Sequence, residues 1–504
     1  MVGAMEPSEK VPNTRAVLVV VCLALATVVS AVSSLNVAIP DIARDTHASQ
    51  TQLSWIIDAY ALTFAALLLA GGGLGDRFGR RRVLLVGLLL YGSAALGAMF
   101  AHGADELIAL RAVLGVAAAL VMPATLATIT ATFPAKQRMQ GVAVWTGVAG
   151  ASAVLGLLLS GSLLEIWSWR SVFGLNVVLA VIAVIGTLRA VPESAQPDAA
   201  VPDLRGTALS VLGLAVLVYS VIEAPTQGWS SARTLIGILA GLSLLAAFIG
   251  WEARQPKPLL DPRLFRIRGF AAGTLSIAAQ FFAFFGFVFV FLQYLQLVRG
   301  DSALVAAISM LPLAAGLMPA ARLAPSVSAR VGPARVCGFG LVLIAAALML
   351  LAATDAGTSY WYLLAGLVAL GVGMGSAMTP ATAAITDALP DSQQGVASAV
   401  NDLSRELGGA LGIAVLGSVL NATYRGHLEL PGAPVATVHI AKQSIGAASQ
   451  LAPPIAQRAA GAFVDGIHAT LLTGGLVVAI AAVGVGLLLR GVSRRGDVDP
   501  EAST

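Results

Sequence analysis

Five charged side chains lie inside long apolar runs of this 504-residue chain, where charges are rare. They are Asp58 (in WIIDAY), Arg111 (in LRAVLG) and the group Asp402, Arg405 and Glu406 (in NDLSREL). A charge in apolar surroundings is costly, so it usually binds a ligand or ion, carries a proton or pairs tightly. The sequence shows no nucleophile–base pair, metal-ligand spacing or phosphate-binding glycine loop. These residues therefore indicate binding and proton transfer, and we expect no enzymatic reaction.

Asp58 and Arg111 fall at matching depths in two apolar runs that we predict to run in the same direction. At about 1.5 Å per helical residue, both side chains lie about 10 Å from the outer ends of their helices. They are predicted to pair, or to compete with a proton or a cation for each other. If they compete, Asp58 carries the proton or meets a cationic substrate, and Arg111 tunes the pKa of Asp58. The alternative is a permanent ion pair that locks two helices together.

The second charged group is predicted to share one helix face, because Asp402, Arg405 and Glu406 are three and four residues apart. Arg405 can neutralise one acid and leave the other free to titrate. The alternative is an interfacial network near the inner mouth that stabilises one state of a gate. The glycines that follow, Gly408, Gly409 and Gly412, predict close helix packing.

Aromatic and amide side chains supply candidates for the lining of a ligand cavity. Seven phenylalanines crowd the ninth apolar run between Phe281 and Phe291. They cannot share one helical face, so we expect some to face lipid, and lipid contact and packing are the alternative to a binding role. The cavity candidates are Trp55, Tyr60, Trp145, Phe284, Phe285, Gln293 and Gln296.

Composition shows which elements must position these residues. The chain is 57% hydrophobic and only 11% charged, with a mean hydropathy of +0.86, whereas a soluble protein carries about 25% charged residues. The net charge of +4 does not indicate a nucleic-acid partner, because the basic residues fall between apolar runs. The two cysteines predict neither a disulfide framework nor a metal site. We predict an all-α polytopic membrane protein in a lipid bilayer.

Hydropathy predicts fourteen membrane spans, each about 20 residues or more. With the amino terminus in the cytoplasm, most lysines and arginines fall in the inner loops, which predicts that both termini are cytoplasmic. The stretch 421–462 is predicted to be the longest segment without a helix, and no role is assigned to it. The predicted spans are 16–39, 53–74, 83–102, 105–132, 139–163, 170–189, 205–224, 232–252, 270–298, 303–323, 334–353, 360–388, 395–420 and 463–490.

A short basic turn between the second and third spans has a specific order of residues, GGLGDRFGRRR over 72–82. Its glycines permit a tight turn, its arginines favour the cytoplasmic side, and its single acid can pair locally or cap a helix end. The alternative is a basic loop that only sets topology. A weak echo, ARVGPAR over 329–335, suggests an internal repeat. The candidate gate residues are Gly72, Asp76, Arg77, Gly79, Arg80 and Arg81.

The turn resembles the signature loop of the major facilitator superfamily. With fourteen spans, LNVAIP over 35–40, WIIDAY over 55–60 and RELGG over 405–409, the chain is similar to the 14-helix drug:proton antiporter branch of the QacA and EmrB kind. The resemblance implies the major facilitator fold, with two six-helix halves and a two-helix insert. The implied segments are a cytoplasmic 1–15, a first half 16–190, a linker and insert 191–269, a second half 270–490 and a cytoplasmic tail 491–504.

The resemblance further implies proton-coupled multidrug efflux by alternating access in a bacterial plasma membrane, by a monomer that uses the proton motive force and no cofactor. The alternatives are export of one endogenous metabolite, lipid or antibiotic, and a non-transporting membrane sensor. Two departures bear on coupling. The branch's first-helix acid is replaced by Ala31, Val32 and Ser33, and the fifth-helix antiporter motif lacks its proline in GLLLSG over 156–161.

Overall fold

The computed structural model describes residues 14–195, 203–256, 258, 260–390 and 394–493, and these fold into helices joined by loops, with no strand among them. Fourteen helical segments are long and apolar enough to cross a membrane, which confirms the predicted number of spans. The helices are α1 Thr14–Thr46, α2 Gln50–Phe78, α3 Arg80–Met99, α4 Ala104–Thr132, α5 Ala135–Leu164, α6 Arg170–Ala190, α7 Leu204–Gln227, α8 Ala232–Glu252, α9 Arg268–Gln293, α10 Ala303–Ser309, α11 Leu311–Val331, α12 Pro333–Leu351, α13 Tyr360–Thr386, α14 Gln394–His427, α15 Val435–Gln443, α16 Ile445–Ala448 and α17 Pro453–Ser493.

The helices pack in two groups with a hairpin at the side. Helices α1 to α6 pack mainly on one another, as do α9, α11 to α14 and α17, and the α7–α8 hairpin lies against α2 and α14. The short helix α10 belongs to the second group by its place in the chain but packs mainly on α5. On α8, Ile236 and Leu239 are largely exposed, which is the pattern of a helix that faces lipid. We call the first group the first half, the second group the second half, and α7–α8 the insert. The residue boundaries between them stay a prediction.

The predicted internal repeat is visible in the backbone of two turns. Gly79 joins α2 to α3 with φ 107°, and Gly332 joins α11 to α12 with φ 93°. Residues with a side chain rarely adopt such angles, so each turn requires glycine. Both turns lie at the same end of the bundle, which we call the motif end, and the opposite end is the far end.

The two halves meet at the far end. Asn421 of α14 donates to the hydroxyl of Thr51 of α2 at 3.1 Å, and Gln296, just after α9, donates to the carbonyl of Val37 of α1 at 3.0 Å. Glu165, just after α5, accepts from the backbone N–H of Leu304 at 3.2 Å. Its hydrogen bonds with Ser302 and Leu304 lower its pKa. Near the motif end, by contrast, the apolar cluster around Trp145 draws only on residues of the first half.

The segment 421–462 is not the long non-helical stretch that we expected. Helix α14 continues to His427, α17 begins at Pro453, and α15 and α16 lie between them. A Cβ atom on Gly446 of α16 would lie 2.7 Å from the Cβ of Ala43 in α1, and Gln450 donates to the carbonyl of Arg44 at 2.9 Å. Tyr424 anchors the segment by donating to the carbonyl of Ala441. This segment therefore caps the far end of α1, an arrangement that its prolines concealed in the sequence.

Candidate functional site

Asp58 is a buried acid at the contact between the halves. Its side chain is 0% exposed, and neither carboxylate oxygen has a hydrogen-bond partner among the residues that the structure describes. Thr51, Ser54 and Leu62 share its face of α2, at helical spacing. That face meets α14: Thr51 binds Asn421, Ser54 lies against Gly417, and Leu62 packs in one cluster with Ala414.

Arg111 is held on the other side of α2. Its Nε donates to the carbonyl of Ile56 at 2.8 Å, and its guanidinium carbon lies 4.3 Å from the centre of the Tyr60 ring. Tyr60 and Tyr91 donate to the carbonyls of Val28 and Thr27 in α1. A planar cation stacked on an aromatic ring is stabilised electrostatically. Arg111 therefore binds α4 to α2 inside the first half.

The predicted pairing of Asp58 with Arg111 is not formed. Neither side chain makes an ion pair with any residue that the structure describes. Residues 58 and 60 are separated by roughly 200° around a helix, so α4 meets Tyr60 while Asp58 faces α14. Equal depth was correctly read from the sequence, but the rotation of α2 separates the two charges.

The second charged group forms a loose local pair. Arg405 lies 4.0 Å from Asp402, its guanidinium carbon is 5.3 Å from the centre of the Phe281 ring, and its buried Nε has no hydrogen-bond partner. Glu406 is half-buried and lies within electrostatic range of Tyr60. The group thus keeps one acid, Glu406, outside the Asp402–Arg405 ion pair. That Glu406 titrates stays a prediction.

The glycines after this group make the predicted close contact. A Cβ atom on Gly409 would lie 2.6 Å from the ring of Phe285, and one on Gly412 would meet the carbonyl oxygen of Phe282. Gly408 lies likewise against the carbonyl of Ala278. Helices α9 and α14 therefore touch backbone to backbone, which fixes the position of Arg405 and Glu406 relative to α9.

Four of the seven phenylalanines pack inward, and the expectation that some of the seven face lipid stays a prediction. Phe282, Phe287, Phe289 and Phe291 are buried. The half-buried Phe281, Phe284 and Phe285 pack on one another, with ring centres 5.2 to 6.3 Å apart. Because Arg405 lies over Phe281, this aromatic cluster adjoins the charged group on α14.

The remaining cavity candidates have structural contacts. Trp55 packs on Tyr219 of the insert, with ring centres 5.9 Å apart, and the indole N–H of Trp145 donates to Thr125 at 3.0 Å. Gln293 is buried and donates to Phe289 of its own helix, with its carbonyl oxygen unpaired. Gln296, as described, crosses to α1. Trp55 also lines a cavity of about 600 Å³ between α2 and the insert, whereas Trp145, Gln293 and Gln296 are buried. Any ligand contact by these side chains stays a prediction.

The basic turn is fastened within the first half. Asp76 accepts from Arg80 at 2.7 and 3.0 Å, which is the predicted local pair. Arg77 lies near the ring of Phe78, with 5.8 Å to the ring centre. Glu193, just after α6, accepts from the backbone N–H of Arg81 at 3.2 Å, and Arg81 donates to the carbonyl of Leu188. We did not predict Glu193, although an acid directly after the sixth span and opposite a basic loop was a usable signal.

The altered run on α5 still makes close contacts. A Cβ atom on Gly156 would lie 2.8 Å from the carbonyl oxygen of Ser30 in α1, and one on Gly161 would lie 2.9 Å from Leu304 of α10. Ser34 donates to the carbonyl of Gly156 at 3.2 Å. Small-residue packing survives without the proline, and α5 reaches the second half through Gly161.

Comparison with known proteins settles the family. The family model described as Major Facilitator Superfamily matches residues 21–413. The chain belongs to this superfamily. Its relatives include the methyl viologen resistance protein SmvA of Salmonella typhimurium, 34% identical over 488 residues, which cover 95% of this chain and 99% of that protein. The multidrug efflux pump LfrA of Mycolicibacterium smegmatis is 34% identical over 500 residues, which cover 96% of this chain and 98% of that protein.

Solved structures of other transporters share the fold. A bacterial homolog of the human lysosomal transporter Spinster, in an inward-facing and unoccupied conformation, has a TM-score of 0.68 at 17% identity over 98% of this chain and 100% of that chain. The POT family transporter PepTSo has a TM-score of 0.67 at 14% identity, over 95% of this chain and 99% of that chain. At these identities the comparison establishes the major facilitator fold alone, as predicted from the basic turn.

Proposed function

We propose that this chain exports amphipathic or cationic small molecules across a bacterial plasma membrane in exchange for protons, by alternating access and without a cofactor. The observation that carries the proposal is the unpartnered carboxylate of Asp58. A charged carboxylate buried in apolar surroundings is unstable, so it holds a proton or meets a cation. Two occupants that compete for one site give exchange of one for the other.

The position of Asp58 links this competition to the movement of the halves. It lies on the α2 face that meets α14, next to the Ser54–Gly417 contact. When the far end opens, α2 and α14 separate along this face, so the surroundings of Asp58 change with each transport step. A second polar centre lies on α14, nearer the motif end. It consists of Asp402, Arg405 and Glu406.

We infer that the motif end faces the cytoplasm, together with both termini, because the basic residues concentrate there. The contacts between the halves at the far end then make this an inward-facing form. The names of the relatives support a cationic or amphipathic substrate, since methyl viologen is an organic dication. We propose that the transporting unit is a monomer, because each of the two charged groups lies within a single chain.

A narrower substrate is the second candidate. Another relative, the methylenomycin A resistance protein of Streptomyces coelicolor, is 33% identical over 395 residues and is named for one antibiotic. The changes in α1 and α5, namely no acid at 31–33 and no proline in 156–161, favour such a specialised exporter.

Proton release from inside-out vesicles tests the proposal. We expect methyl viologen or another lipophilic cation to release protons from vesicles that contain the native chain, and no release from vesicles without it. Glu429→Gln controls for the loss of a carboxylate in general. It removes an exposed acid at the far end and should leave proton release intact. Absence of release with every cation and antibiotic tried would refute proton-coupled export.

A further inference from the structure

The two halves carry matching turns at the motif end, and among the described residues an acid covers the first turn but not the second. Glu193 lies over the first turn, where a Cβ atom on Gly79 would be 2.5 Å from its carboxylate, and Arg82 is 3.6 Å away. At the second turn, a Cβ atom on Gly332 meets no described atom within 4 Å. The structural repeat therefore leaves one position occupied by an acid in the first half and open in the second.

A cavity of about 1270 Å³ lies beside the open turn. It is lined by the motif-end residues of α9, α11, α12, α13 and α17, with three cations and one acid. The cations are Arg266, Arg268 and Arg335, all exposed, and the acid is Asp387. The charge of this cavity favours an anionic occupant.

The chain itself supplies an acidic segment at the right place. Glu193 follows the last helix of the first half, α6, by three residues. The last helix of the second half, α17, lines the cavity with Gly486 and Leu489 and reaches Ser493. The sequence then reads RRGDVDPEAST over 494–504, with Asp497 four residues past the helix. Four extended residues span about 13 Å, which is enough to reach back into the cavity.

We propose that the acidic segment Asp497–Glu501 docks in this cavity against Arg266, Arg268 and Arg335, as Glu193 docks on the Gly79 turn. Its carboxylates form ion pairs with these cations, and together the pairs hold the turn between α11 and α12 to the end of α17. Each half is then braced at the motif end by the acid that follows its own last helix. The brace makes the second half move as one body during transport.

Thiol labelling of the cavity tests this docking. Ala334 is exposed and lines the cavity, whereas Ala329 is exposed in the same turn but outside it. Each is replaced by Cys in a chain with Cys22→Ser and Cys337→Ser, in phosphatidylcholine nanodiscs, and treated with a charged maleimide. Neutralising the tail (Asp497→Asn, Asp499→Asn, Glu501→Gln) is expected to speed labelling at position 334 about tenfold, since local opening then costs less. Labelling at position 329 should not change. Equal rates at position 334 with and without the tail charges would overturn the proposal.

Hydrogen exchange of residues 494–504 gives an independent readout that includes a variant expected to fold normally. Arg335→Gln is expected to remove the protection of this segment, and Arg330→Gln, in the same turn but outside the cavity, is expected to retain it. A segment that exchanges at the unprotected rate in the native chain contradicts the proposal. A second result would also contradict the proposal. If labelling at position 334 slows only when phosphatidylglycerol is added, with the native and the neutralised tail alike, an anionic lipid headgroup fills the cavity.

Discussion

The guanidinium of Arg111 stacks on the ring of Tyr60 at 4.3 Å, although Asp58 is only two residues from Tyr60 in the chain. This contact and the hydrogen bond to Ile56 bind the cation inside the first half. Asp58, on another face of the same helix, keeps an unpartnered carboxylate between the halves. The first charge therefore holds helices together, and the second is the one to which we assign the exchange of a proton for a cation in the proposed function.

Arg111→Lys should destabilise the protein even though it keeps the charge. Lysine cannot both stack as a flat cation on Tyr60 and donate sideways to Ile56, so we expect a loss of about 1–3 kcal/mol in the free energy of unfolding. Thermal unfolding in detergent measures it. Tyr60→Phe is the control, because it keeps the ring under Arg111 and removes only the hydrogen bond to Val28. An Arg111→Lys variant as stable as Tyr60→Phe would show that the stack contributes little.

Gly412→Ala should loosen the contact between α9 and α14. The added Cβ would meet the carbonyl oxygen of Phe282, so the helices must separate, and we expect a loss of at least about 2 kcal/mol in stability with reduced transport. Gly426→Ala on the same helix has no atom within 4 Å of its new Cβ. That control should be neutral or gain about 0.5–1 kcal/mol from higher helix propensity. Similar effects of the two substitutions would contradict close packing at Gly412.

Asp76→Asn should weaken the basic turn. Arg80 is only 11% exposed and directs two donors at one Asp76 oxygen, so loss of the carboxylate leaves a largely buried cation poorly paired. We expect a loss of about 1–3 kcal/mol in stability, measured by chemical or thermal unfolding. Arg82→Gln removes a pair with Glu193 in which Arg82 is 78% exposed, and it should cost less than about 1 kcal/mol. The opposite order of effects would show that Asp76 is not the partner that stabilises the turn.

The double variant Gln296→Ala with Asn421→Ala should favour opening at the far end. It removes two hydrogen bonds between the halves, each contributing about 1 kcal/mol, so the far-end-open population should rise roughly tenfold or more. Spin labels at positions 47 and 429 report the distance between the halves by double electron–electron resonance, because His47 and Glu429 are both exposed at the far end. Gln293→Ala is the control, because Gln293 donates within its own helix. An unchanged distance distribution in the double variant would show that these bonds do not hold the far end closed.

The sequence predicted those features that local pattern determines. Fourteen apolar runs gave fourteen spans, the order of residues in 72–82 gave the fold, and Gly408, Gly409 and Gly412 gave a close helix contact. The Asp76–Arg80 pair also followed, because the acid and the arginine flank the tight Gly79 turn and are therefore close in space.

Features that depend on helix rotation or on distant segments could not be predicted. Depth placed Asp58 beside Arg111, but only packing shows that α4 meets the Tyr60 face of α2. His468 and Asp465 are three residues apart in the chain but have different partners: His468 bonds the carbonyl of Thr354, and Asp465 lies 3.0 Å from His427. The helices within 421–462 were hidden by prolines and glycines that end short helices.

The central claim is that Asp58 couples protons to export, and one comparison tests it most directly. Proteoliposomes that contain Asp58→Asn are assayed for methyl viologen transport driven by a pH gradient, and separately for exchange of methyl viologen down its own gradient. We predict that the variant loses gradient-driven transport at least about tenfold, while exchange persists. Gradient-driven transport by Asp58→Asn at the rate of the native chain would contradict the account.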